Sequence, residues 1–301
     1  MAYARARRSR RFTRRPRRGR KKFRRSRRRY ARRGMTRRKV VDIASTKCHD
    51  NMPGVSVGSD GSKAPIGVPS TILSSGFGAF LFCASARGSQ WTEAESEYAR
   101  QKTEVYAKGY LERTTVETVG GGNWRWRRIA FQCHSDDIID TVEPNRMAYH
   151  DGVAGYTRTM YSFRDAGNAG YQAMCRQLFE GTFGTDYADL FNAVTDKRRN
   201  RVIMDRTMPV RSGNGFGVFK NTRDYIPINK KIRYNEKEEG DDKEPMSDVI
   251  AGEQNYTWFA TPTRYSGGDV YVVDLFSCAD GGNATSSLRF LAHGTYYWHE
   301  R

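Results

Sequence analysis

The first 40 positions of this 301-residue chain contain no acidic residue at all. The chain also lacks a long hydrophobic run. Its longest clean one is Ala79-Phe80-Leu81-Phe82-Cys83-Ala84, far short of the roughly 20 residues that span a bilayer, so no membrane partner is expected. The N-terminus has no apolar stretch behind its charges, which excludes a secretory signal peptide. Its arginines come in blocks, leaving no apolar helix face of the transit-peptide kind. The five cysteines (Cys48, Cys83, Cys133, Cys175 and Cys278) include no Cys-x-x-Cys pair. An odd, scattered set argues against a disulfide framework and for a reducing compartment. Gly-x-Ser-x-Gly, His-Glu-x-x-His, a phosphate-cradling Gly-x-x-x-x-Gly-Lys-Ser/Thr and a compact carboxylate dyad are all missing. The expectation is a protein that is not an enzyme and needs no cofactor.

What the first 40 residues do contain is 22 of the 52 lysines and arginines. The remaining 30 basic residues face 33 acidic ones, so the body carries −3 and the arm +22. The basic residues are Arg5, Arg7, Arg8, Arg10, Arg11, Arg14, Arg15, Arg17, Arg18, Arg20, Lys21, Lys22, Arg24, Arg25, Arg27, Arg28, Arg29, Arg32, Arg33, Arg37, Arg38 and Lys39. Such a segment repels itself and has too little apolar surface to fold alone, so residues 1–40 read as a disordered arm. Guanidinium groups pair bidentately with phosphates, and each phosphate neutralised releases a counterion. Tyr3, Phe12, Phe23 and Tyr30 are interleaved and can stack on bases. No helix-turn-helix, zinc-finger or RNP signature accompanies the arm, so binding without a sequence code is expected. The same arm suits a nuclear import signal.

Residues 41–301 are long enough to bury a sizeable core. Their pattern is mostly period two. Strands are predicted near 77–84, 103–119, 124–133, 156–163, 201–210, 215–220, 224–234, 256–261, 270–278 and 288–298. Gly120-Gly121-Gly122-Asn123 predicts a tight turn, making 103–119 and 124–133 an antiparallel hairpin. Residues 45–90 read as an irregular lead-in with one strand at 77–84. Short helices are predicted at 92–102 behind a capping box (Thr92 to Glu95), at 171–178, and at 187–194 behind Asp186. With no strand–helix–strand alternation, the fold class is all-β, a sandwich or barrel.

Trp124-Arg125-Trp126-Arg127-Arg128 is the most distinctive string in the body. Alternation sends Trp124, Trp126 and Arg128 to one face and Arg125, Arg127, Ile129 and Phe131 to the other. Two readings stay open: a positive, aromatic surface touching a polyanion or another subunit, or a strand whose arginine stems cover core aromatics. Cys48-His49 and Cys133-His134 invite a zinc reading, but the dipeptides are far apart and adjacent strand residues point to opposite faces, so no metal is expected. Gly213-Asn214-Gly215-Phe216-Gly217 reads as a turn. Asp136-Asp137 and the acidic loop 235–254 read as solvated surface or as contacts to a basic neighbour.

Several strings occur in an order that resembles the capsid proteins of genomoviruses, small circular single-stranded DNA viruses distantly related to geminiviruses. They are the Arg-rich opening Met1-Ala2-Tyr3; Trp124-Arg125-Trp126-Arg127-Arg128-Ile129-Ala130-Phe131; Asp205-Arg206-Thr207 followed by Arg211-Ser212-Gly213-Asn214; Pro227-Ile228-Asn229-Lys230-Lys231-Ile232-Arg233-Tyr234 ahead of an acidic loop; and Tyr297-Trp298-His299-Glu300-Arg301. They cover the arm and most of residues 103–301. The resemblance implies a single jelly-roll β-sandwich of eight main strands with a few short helices, in a T=1-like shell of about 60 identical copies. It implies an arm that packages circular single-stranded DNA and engages the host nuclear import machinery, and a location in the virion and the host nucleus. The other reading that the arm permits is a host nucleic-acid-binding protein of chromatin or ribosomal type. The net negative body favours the shell subunit, because such host proteins usually carry positive charge into the folded surface.

Overall fold

The computed structural model describes residues 35–89, 99–120, 122–134, 136–142, 144–151, 154–162, 169–211, 216–234, 258–279 and 286–301. The chain runs α1 (Arg37–Ala44), β1 (Thr46–Met52), β2 (Gly54–Val57), β3 (Ser70–Leu73), β4 (Phe77–Cys83), β5 (Glu104–Val119) and β6 (Asn123–Cys133). It continues through α2 (Asp136–Thr141), α3 (Pro144–Met147), β7 (Tyr149–Asp151), β8 (Gly155–Ser162) and α4 (Ala169–Leu178). The last four strands are β9 (Arg201–Arg211), β10 (Phe219–Arg233), β11 (Asp269–Cys278) and β12 (Ser287–Glu300). Two sheets face each other: β1-β12-β5-β10 with β3 beside β12, and β2-β8-β4-β11-β6-β9 with β7 beside β8. The body is therefore an all-β sandwich.

The expected hairpin between 103–119 and 124–133 does not form. β5 pairs with β10 and β12, and β6 with β11 and β9. Gly120, at φ 77°, turns the chain from one sheet to the other. A glycine turn serves a corner as well as a hairpin. What separates the cases is that Glu112 on β5 and Arg128 on β6 meet across the sandwich at 2.9 Å. Other elements differ for local reasons. β1 shows no apolar alternation because only Asp50 and Met52 along it are buried. At 187–194 the Asp189 carboxylate accepts the Phe191 amide at 3.0 Å, so the segment turns rather than coiling into a helix. The strands expected at 215–220 and 224–234 merge into β10; of the one expected at 256–261, residues 256–257 lie outside the described residues, and Ala260 forms a bridge with Tyr234. Residues 99–102 are not helical, and the rest of the helix expected at 92–102 lies outside the described residues.

The core is apolar at both ends and charged in the middle. Phe80, Val116, Trp124, Trp126, Phe276 and Phe290 form one apolar cluster, while Phe82, Tyr110, Ala130, Val272, Ile226 and Tyr296 belong to the other. Between them, register brings a charged layer together. Asp224 lies opposite Glu112 in one sheet, and Arg128 opposite Asp274 in the other. The Arg128 guanidinium reaches Asp274 at 2.7 Å, Glu112 at 2.9 Å and Asp224 at 3.2 Å. Arg158 on β8 reaches Glu112 at 2.5 Å and Asp274 at 3.1 Å. The Trp126 indole N–H donates to Asp274 at 2.8 Å. Burial alone would push the Arg128 guanidinium down; Asp274, Glu112 and Asp224 together reverse that and hold it above the ordinary arginine value.

Removing one member of such a layer leaves its partners charged, buried and unmatched, which typically costs about 3–5 kcal/mol. Arg128→Leu is expected to lower unfolding stability by about that amount. Arg125→Ala, whose partner Asp189 sits with it at the surface, is expected to cost under about 1 kcal/mol. Urea denaturation of both variants measures the difference.

Candidate nucleic-acid interface

Of the arm, Arg5 through Arg33 lie outside the described residues, and so does the acidic loop 235–254. The root of the arm is described. Arg37, Arg38 and Lys39 open α1, whose N-cap Thr36 accepts the Lys39 amide at 3.4 Å. The boundary expected at residue 40 thus falls inside a helix. α1 is held at its far end: the Lys47 ammonium donates to the Asp42 carbonyl at 2.7 Å, and His299 Nδ1 lies 3.7 Å from the Asp42 carboxylate. The C-terminal end of α1 therefore lies beside the end of β12.

The Trp-Arg strand alternates as expected, but both of its faces are covered. Trp124, Trp126 and Arg128 point between the sheets and are 0–1 % exposed. The other face is roofed by the segment after α4. There Arg127 grips Asp205 with two hydrogen bonds, at 2.9 and 2.7 Å, and donates to the carbonyls of Leu190 and Ala193. Arg125 alone of the five presents its guanidinium at the surface, paired with Asp189 and lying over Phe191. Four of these residues thus act through packing and ion pairs within the body.

Among the described residues, no group of three or more His, Cys, Asp or Glu is placed to hold a metal ion. The Cys48 thiol is pushed up to about 11 by burial and by Glu300, and Cys175 to about 12 by burial. Cys83 and Cys133 are pushed higher by burial and by Asp269. Such thiols are poor nucleophiles. Asp137 pairs with Arg176 of α4 at 3.1 Å, and the Gly213–Gly215 turn lies outside the described residues.

A basic concavity that the sequence did not single out opens on the outer face of the β1-β12-β5-β10 sheet. It has a volume of about 320 Å³ and is lined by Lys47, Cys48, His49, Lys108, Tyr225, Tyr297 and His299. Its residues come from four strands far apart in the chain, so only period-two reading combined with the sheet order assembles them. No protein-family model matches the chain, and no curated protein sequence matches it.

His299 is held below the ordinary histidine value by burial and by Lys47, Lys108 and Arg301, against the opposing pull of Asp42. Burial and Arg113 do the same to His293. A depressed histidine favours the folded state when neutral, so this contribution is complete above the unfolded value near 6.5 and is lost as pH falls below it. The double variant His293→Gln/His299→Gln is expected to lose less melting temperature between pH 7 and pH 5 than the parent chain. Differential scanning fluorimetry across that range checks this.

Proposed function

We propose that this chain is the subunit of a small viral shell and packages single-stranded DNA through its N-terminal arm. The observation that carries the proposal is the charge partition: +22 in the first 40 residues on a body of −3. A near-neutral body can tile against copies of itself without long-range repulsion, while the arm supplies the cations that a packed polyanion requires.

The strand order supports the same reading. We set aside β2, β3, β7 and β8 as additions at the sheet margins. The eight remaining strands are then β1, β4, β5, β6, β9, β10, β11 and β12. One sheet takes the first, eighth, third and sixth of them, and the other the second, seventh, fourth and fifth. We read that order as the connectivity of a jelly roll wound from two Greek keys, an architecture that recurs in viral shells. Import into the nucleus and residence in the virion follow from the same arm and the same assembly.

The test is electron microscopy of the protein expressed alone, with nuclease-resistant nucleic acid assayed in the same fractions. Uniform closed shells holding protected nucleic acid are expected. At about 60 copies the arms hold about 1300 cations, which suits roughly 1–3 kilobases of single strand at one or two phosphates per cation. Removing residues 1–34 is expected to abolish protection while leaving the melting temperature of the body unchanged. Monomers that bind and release DNA with salt and never close would overturn the shell and favour a chromatin-type binding protein.

A further inference from the structure

The two outer faces of the sandwich are treated differently by the chain. Over the β4-β11-β6 sheet lie α2, α4 and the segment that follows, and Ile138, Tyr171, Met174, Leu178, Phe179 and Leu190 belong to the same buried cluster as Ile129 and Phe131. Along the other sheet the outward side chains alternate with buried ones and stay open: Lys47 and His49 on β1, Lys108 and Arg113 on β5, Arg223 and Tyr225 on β10, and Arg289 and His293 on β12 are all exposed.

Register arranges these side chains in rows across the strands. Lys47 lies opposite His299, which lies opposite Tyr106, which lies opposite Lys231. Next to them His49 lies opposite Tyr297, with the two rings stacked at 6.1 Å. Further along, His293, Arg113 and Arg223 form one row. Glu104 and Glu117, the carboxylates on the outward side of β5, are engaged: Glu104 with Lys231, and Glu117 with Arg289 at 3.7 Å. Lys47, Lys108, Arg113 and Arg223 are left to set the sign of the face, and the lining of the 320 Å³ concavity contains no carboxylate.

The aromatic rings here lie against backbone. A Cβ on Gly109 would stand 2.2 Å from the Tyr225 hydroxyl and 2.5 Å from its ring carbon, so glycine at 109 is what lets that ring lie across β5. Tyr225 remains 50 % exposed in that position. His293 and His299 are held below the ordinary histidine value first by burial, with Arg113 beside the one and Lys47 and Lys108 beside the other adding to it.

We infer that this outer face of the β1-β12-β5-β10 sheet is a second nucleic-acid contact, which binds single-stranded DNA by stacking bases on Tyr225 and Tyr297 and pairing phosphates with Lys47, Lys108, Arg113 and Arg223. The inference rests on the proposed nucleic-acid role of the arm and extends it to the folded body. Open aromatic rings flanked by cations suit unpaired bases, whose faces a duplex hides. The helix that follows the arm, α1, is held beside this same concavity by Asp42, which contacts Lys47 and His299.

The test uses the full chain. Ultraviolet cross-linking to a short oligothymidylate, followed by peptide mapping, is expected to label both the arm and the peptides holding Tyr225 and Tyr297. Replacing both tyrosines with alanine is expected to remove the sheet labels and weaken binding roughly tenfold per ring. Lys47→Gln/Lys108→Gln is expected to reduce the salt slope of binding by about 1.4. Lys47, Lys108 and Tyr225 are exposed and Tyr297 is half-buried, and an unchanged melting temperature verifies the fold of each variant. Labels confined to residues 1–40, or equal competition by a duplex of the same length, would overturn this inference and leave the arm reading intact. Labels on the sheet alone would uphold it and overturn the arm, and labels on neither would overturn both.

Discussion

The body depends on a layer of opposed charges where a sandwich would ordinarily be apolar. Arg128 and Arg158 face Glu112, Asp274 and Asp224 with almost no access to water. Desolvating such groups is expensive, and attraction between them offsets the cost only when every partner is in place. The layer therefore acts as a register pin. Side chains alternate across a strand, so a slip of one residue in β5, β6, β8, β10 or β11 would turn a charge out of the layer and drive its neighbour in. The same slip would turn out the large side chains that flank the layer on the same face: Trp126 and Phe276, stacked at 5.6 Å on one side, and Tyr110 against Glu112 on the other. A second buried pair, Arg87 with Asp50, repeats the device at the β1 edge, with Arg87 held between Tyr156 and Trp298.

Several of the body's arginines are used inside the fold. Arg87, Arg100, Arg127, Arg128 and Arg158 are buried. They are matched inside the fold by carboxylates or by backbone carbonyls, as Arg100 is by Arg87 and Lys102. The arm has no carboxylates of its own. The chain thus has two populations of cations, one matched within the fold and one in the arm without carboxylates beside it in sequence. The open sheet face, with Lys47, Lys108, Arg113 and Arg223, carries the same sign as the second.

Strand positions were legible where one face of a strand is apolar, as in β5, β6, β11 and β12. They were illegible in β1, an edge strand whose outward residues are Lys47, His49 and Asn51. The alternation of Trp124 through Arg128 was read correctly, yet its meaning was not fixed by the string. Whether Arg128 meets a polyanion or a buried Glu112 depends on which strand lies opposite, and local pattern carries no information about that. The same gap produced the mistaken hairpin, since Gly120 marks a turn without naming the sheet to which the chain returns. The basic concavity was invisible for a related reason: Lys47, Lys108, Tyr225 and Tyr297 become neighbours only once β12 lies between β1 and β5.

That placement of β12 governs how the molecule can be made. The Thr295 hydroxyl donates to Asn51 across 244 residues of chain, and β12 holds β1 and β5 apart as their common partner. Until those distant residues arrive, β1 has no neighbour in its sheet. Topologies dominated by such distant pairings fold slowly, because loop closure must precede the contacts that reward it. Until the last strand is in place, the charged layer and the sheet that holds β1 belong to an unfinished sandwich, so the body closes late and as one unit.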